Sequence, residues 1–156
     1  MKNKKGEIYV TVCVFMLIIF MIFSAVFTFA SAITMIKVQE SNTEIVFDSF
    51  VANNSILIFN NIKMGKNATD HVNTANYTHM LTEFCLLSKN GARYYSYDDE
   101  GHEKFNITEP VIGFLEENQL ELVVTYTMSV PIRFSGLTVA TAIIPVRITS
   151  ELRSKN

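Results

Sequence analysis

From Ile8 to Ile36 the chain runs 29 residues without a charged side chain. As a helix at about 1.5 Å per residue this segment would be about 43 Å long. A bilayer's hydrocarbon core is about 30 Å thick and needs roughly 20 apolar residues. The run therefore predicts a membrane-spanning helix with one or two turns to spare. It holds neither Pro nor Gly, so nothing interrupts its backbone ladder. Ser24, Thr28, Ser31 and Thr34 lie in its second half, where hydroxyls can bond back to the helix's own carbonyls.

The flanks set an expected orientation. Lys2, Lys4 and Lys5 precede the run against Glu7 alone, whereas Lys37 is followed by Glu40, Glu44 and Asp48. The positive-inside rule places the N-terminus in the cytoplasm and the bulk of the chain outside it, in a cell membrane crossed once. Ala30-Ser31-Ala32 offers a rival reading, a secretory signal cut before Ile33. The apolar run is much longer than the roughly 7–15 residues of a signal's apolar stretch, which favours a retained anchor. Both readings export the remainder.

Lys and Arg number 13 against 15 Asp and Glu, so no dense basic face is available for a nucleic-acid partner. Cys13 falls inside the apolar run, leaving Cys85 alone in the rest of the chain. An exported domain of this kind is not stapled by an internal disulfide and must rely on its core.

Residues 37–64 contain no Gly or Pro, and Ile45, Val46, Phe47, Phe50, Val51, Ile56, Leu57, Phe59 and Ile62 recur at threes and fours. That spacing predicts an amphipathic helix continuing from the membrane, with Asn42-Thr43-Glu44 as a place for a local break. Gly65 is the expected C-cap. Residues 65–79 read as a polar loop or short helical piece, and Thr82–Ser88 as a strand. Asn90-Gly91 signals a hairpin returning through Ala92–Tyr97. Asp98–Gly101 reads as a second turn and Phe105–Ile107 as a short strand.

The strongest β signal closes the chain. Leu120, Leu122, Val124, Tyr126, Met128, Val130, Ile132 and Phe134 alternate with mostly polar residues, and Ala140, Ala142, Ile144, Val146, Ile148 and Leu152 repeat the pattern after Ser135-Gly136. Two half-buried strands forming a long antiparallel hairpin follow from this alternation. Pro131 and Pro145 should sit at a strand end, bulge or edge. The expected architecture is α+β: a basic leader (1–7), a transmembrane helix (8–36), an amphipathic helix (37–64) and a β-rich extracytoplasmic domain (65–156), the helix covering the antiparallel sheet.

No catalytic constellation is present. His71, His79 and His102 share no metal-ligand spacing. The acidic run Asp98–Glu103 lacks the alternating ligand order of a calcium loop and reads as a solvated turn. The sequence assigns no catalytic, cofactor or metal residue and predicts a non-enzyme.

The start Lys4-Lys5-Gly6-Glu7, leading directly into an apolar helix, resembles the leader of type IV pilin-like proteins. Val123-Val124-Thr125-Tyr126, Val130-Pro131, a Gly-containing turn and a strand ending near Thr149-Ser150-Glu151 resemble the TadE-like pseudopilins of tight-adherence (Flp) pilus systems. The resemblance covers about 1–64 and 120–156. It implies a minor pilin acting in filament assembly or adhesion, processed by a prepilin peptidase between Gly6 and Glu7. Its implied partners are the bilayer, other pilin-like subunits and pilus assembly proteins. Where many pilin-like proteins carry a glutamate five residues after the cut, this chain has Thr11. The alternative is a signal-anchored extracellular binding protein unrelated to pili.

Overall fold

The computed structural model describes residues 4–67, 69–115, 118–134 and 136–151. The first leader residues and the terminal Leu152, Arg153 and Lys155 lie outside this set, as does Ser135 of the expected turn.

A single helix, α1 (Lys4–Lys63), runs unbroken for 60 residues. The expected break at Asn42-Thr43-Glu44 does not occur. Thr43 Oγ1 donates to the Gln39 carbonyl at 2.8 Å, and Asn54 Nδ2 to the Phe50 carbonyl at 2.9 Å, so side chains that favour caps elsewhere bond back within the helix. Termination is sharp at Gly65, which adopts φ 68. Its N–H reaches the Ile62 carbonyl at 3.0 Å and the Lys66 N–H reaches the Asn61 carbonyl at 2.9 Å. These two bonds are a Schellman motif, and only a residue without a Cβ enters that left-handed conformation at little cost.

The two halves of α1 meet different surroundings. Every residue from Ile8 to Ser24 is exposed, which makes this the described helix long and apolar enough to cross a membrane. Ala32 is the first buried position. From there a buried stripe climbs through Gln39, Thr43, Val46, Phe47, Phe50, Val51, Ile58 and Asn61. Its steps of three, four and seven, with the adjacent pairs Val46-Phe47 and Phe50-Val51 widening it, keep one face on the head.

A second helix, α2 (Thr74–Phe84), packs beside α1. Tyr77 meets the rings of Phe47 and Phe50 edge-on, each at 5.5 Å between centroids. The strand expected over Thr82–Ser88 is therefore corrected: Thr82–Phe84 close this helix, Cys85-Leu86 form the turn after it, and only Ser88 is in a strand. Tyr77 and Leu81 are buried at a spacing of four, and that period outweighs the β-leaning composition. Chain reversal after α2 places Leu86 at φ 51, and a three-residue strand β1 (Ser88–Asn90) follows.

The sheet is antiparallel throughout, with β2 (Arg93–Tyr97), β3 (Glu103–Thr108), β4 (Val111–Leu115), β5 (Asn118–Phe134) and β6 (Leu137–Glu151). Asn90 pairs with Arg93, so Gly91 and Ala92 are the two loop residues. Gly91 alone has positive φ there, the arrangement of a II′ turn. The 17-residue β5 is the spine. Along one edge it pairs first with β4 and then with β3, while β6 lines the other edge. β3 and β4 run in the same direction and read as one strand interrupted at Glu109-Pro110. Pro110 cannot donate to a ladder, and near this break the Thr108 hydroxyl accepts the Thr127 N–H at 2.9 Å. Pro131 lies beside the irregularity between Ile132 and Arg133, and Pro145 lies on β6, which pairs only with β5 among the described strands.

The inward face of the terminal hairpin is buried as the alternation predicts. Leu122, Val124, Tyr126, Met128 and Val130 lie against α1 together with Val146. The architecture is α+β, a long helix packed on an antiparallel sheet.

Because Phe47 is fully buried at the meeting of α1 and α2, Phe47→Ala should cost about 3–5 kcal/mol of head stability. Phe20→Ala, in the exposed apolar half, should leave it within about 0.5 kcal/mol. Denaturant unfolding of the full chain in detergent, followed by tyrosine fluorescence, measures both; equal losses would contradict this division of α1.

Candidate functional site

Gly6 and Glu7 belong to the first turn of α1. The first four N–H groups of any helix lack intrahelical acceptors, so opening this turn breaks few bonds. Among the described residues, no element of the head packs against Ile8–Ser24, which separates the Gly6–Glu7 bond from the folded domain. A peptidase could therefore reach that bond without disturbing the head.

Where α1 enters the head, a buried polar cluster replaces the apolar seam. Gln39, 2% exposed, donates through Nε2 to Cys85 Sγ at 3.5 Å. Thr43, fully buried, shares a 2.8 Å hydrogen bond with Tyr126 Oη from β5. Further along, Ser150 of β6 donates to Asp48 Oδ1 at 2.6 Å, and Asn61 Nδ2 donates to the Asp70 carbonyl at 2.6 Å. Each bond ties α1 to a different part of the head. Together they fix its rotation and its height, since a slip of one residue would bury these groups without partners.

Burial pushes the Tyr126 phenol up to about 12, against a smaller opposing effect of the Thr43 hydrogen bond. Tyr77 is raised by its own burial, with Tyr126 and Cys85 nearby adding to the effect. Burial also raises the Cys85 thiol, opposed in part by the Gln39 amide. A thiol held protonated in this way is a poor nucleophile. Tyr77 Oη is buried with no hydrogen-bond partner among the described residues.

Below the cluster, a groove of about 530 Å³ opens between α1 and the β2–β3 edge. Phe27, Met35, Val38 and Phe105 provide apolar wall, and Lys104 provides its cation. The groove begins inside the uncharged run.

The histidines do not converge. His79 meets Glu83 at 3.5 Å on α2, and His102 meets Asp98 and Glu100, each at 3.5 Å, in the β2–β3 turn. Asp98 is held below the usual carboxylate range, chiefly by the His102 N–H, with smaller help from the His102 ring, the Glu100 N–H and Arg133. Among the described residues, no three His, Cys, Asp or Glu side chains gather as a metal site. Tyr94 is buried, while Tyr95 and Tyr97 stack at 6.2 Å. Asn53, Asn67, Asn76 and Asn106 each begin an Asn-X-Ser/Thr sequence; Asn106 is buried and bonded to Arg93 and Glu103, whereas Asn53, Asn67 and Asn76 are exposed.

Sequence reasoning missed the polar cluster. One signal was present: Gln39 and Thr43 stand in phase with Ala32, Val46 and Phe50 on the buried stripe.

Two outcomes follow. Tyr77→Phe removes a buried hydroxyl that has no partner among the described residues, so stability should stay level or rise by up to about 1 kcal/mol; a measurable loss of stability in denaturant unfolding would show that the hydroxyl is bonded. Tyr126, Tyr77 and Cys85 all have raised folded pKa values. Their contribution is complete below the unfolded values. It falls as pH climbs past about 9–10, where the unfolded chain releases these protons first. Thermal unfolding across pH 8–12 should show this alkaline loss, reduced in the Tyr126→Phe variant.

No protein-family model, curated protein or solved structure matches this chain.

Proposed function

We propose that this protein is a TadE-like minor pilin, a structural component of a tight-adherence pilus or secretion apparatus. Its N-terminus faces the cytoplasm and its head lies outside. The observation that carries the reading is the single 60-residue helix. Its first part exposes Ile8–Ser24 to any apolar surroundings, and its second part is built into an α+β head.

The function so proposed is mechanical. A lipid-exposed helix leaves the bilayer only for another apolar environment, because each CH₂ returned to water costs about 0.8 kcal/mol. A bundle of similar helices, in the core of a filament, supplies that environment. The head then rides outside as the part that decorates or initiates the assembly. Lys4-Lys5-Gly6-Glu7 supports processing by a prepilin peptidase, and the helical first turn holding Gly6 and Glu7 stands clear of the head.

Intact-mass measurement on the protein isolated from its own membrane tests this reading. A mature chain beginning at Glu7 is expected, and Gly6→Ala should leave the leader in place. A mature chain beginning at Ile33 would contradict both the pilin reading and the anchor.

A further inference from the structure

The terminal hairpin outgrows the sheet that supports it. β3 last pairs with β5 at Ser129; beyond that, among the described residues, Val130–Phe134 pair only with Leu137–Ala142 of β6. In this ribbon the burial pattern stops alternating. Leu137, Thr138, Val139, Ala140 and Thr141 are all exposed, so both faces of the strand have left the core. The exposed side chains are nevertheless apolar: Leu137 is 73% and Val139 63% exposed. From Val130 to Ala142 the only charged residue is Arg133.

The register shows where the ribbon points. Ser150, which pairs with Leu122, bonds to Asp48 of α1, and Tyr126 bonds to Thr43. Moving four residues along β5 therefore moves five residues down α1, toward its lipid-facing half. At the same pitch, the eight residues from Tyr126 to Phe134 descend about ten helix residues, to the level of about Ile33. That level is inside the uncharged run that ends at Ile36. With about 20 residues, Ile8–Phe27, filling the hydrocarbon core, Ile33 stands about 9 Å above it, at the headgroups; moving the core upward brings it to the acyl boundary.

We propose that the tip of the β5–β6 ribbon is a second membrane contact, resting in the headgroup layer on the head's side of the bilayer. Leu137 and Val139 meet the acyl boundary, and Arg133 lies at the depth of the lipid phosphates, shared with Asp98 of the β2–β3 turn. The proposal rests on the reading of Ile8–Ile36 as a membrane span. The occupant is lipid because the ribbon tip descends to the level of the uncharged run Ile8–Ile36, where a bilayer holding that run ends. One span alone leaves the head free to tilt; a ribbon seated in the interface holds it at a fixed attitude.

The natural chain contains no tryptophan, so single substitutions report depth directly. Leu137→Trp, Phe20→Trp and Ile56→Trp would each be made in the full chain. Each variant is reconstituted in vesicles of phosphatidylcholine and phosphatidylglycerol, with a nitroxide quencher carried either near the headgroup or deep in the acyl chain. Phe20→Trp should be quenched by the deep probe and Ile56→Trp by neither. Leu137→Trp should be blue-shifted and lose fluorescence to the shallow probe. If Phe20→Trp is quenched while Leu137→Trp behaves as Ile56→Trp does, the ribbon contact is overturned and the span stands. If Phe20→Trp is not quenched, the span itself fails. A Leu137→Trp emission that is blue-shifted, insensitive to both probes and dependent on protein density would assign the ribbon to a second copy and overturn the lipid contact.

Discussion

One unbroken backbone ladder passes from an exposed, apolar segment into a folded head, and the rest of the structure depends on that continuity. In lipid each peptide group must be satisfied within its own segment, which a helix does without outside help. In the head, the same geometry presents a stripe from Ala32 to Asn61 on one face. Nothing in the backbone marks the boundary. Only the side chains change, from apolar all round to apolar on one stripe.

The buried polar cluster explains how so long a helix keeps one setting. Apolar packing alone tolerates small slides, because one methylene resembles another. The hydrogen bonds between Tyr126 and Thr43 and from Ser150 to Asp48 do not, since a shifted partner leaves a buried group unsatisfied. Gln39 and Cys85 repeat the logic more weakly, with a sulfur acceptor at 3.5 Å. Force applied along α1 would thus be transmitted to the sheet at defined points.

Much of this fold is legible in the sequence. The uncharged run, the C-cap at Gly65 and the alternation in β5 and β6 each rest on a local rule with a single solution. The short helical piece expected within 65–79 is the first part of α2; its end, Thr82–Phe84, reads as strand because eleven residues give helical period little room to declare itself. The exposed positions of α1 mislead in another way. Ile45, Ile56 and Phe59 look like core yet are exposed, while Gln39, Thr43 and Asn61 look like surface yet are buried. Which apolar stripe faces inward is decided by partners far along the chain, such as Tyr126, and periodicity within the helix does not contain that information. Gly6 and Glu7 were found through resemblance, and geometry adds only that their turn stands away from the head.

Backbone hydrogen exchange across α1, measured residue by residue on the full chain in lipid nanodiscs, tests the continuous helix most directly. Slow exchange without a gap from Phe27 through Phe50 is the predicted result. A fast-exchanging stretch at Lys37–Glu44 would show instead a hinge between anchor and head, and would contradict the account.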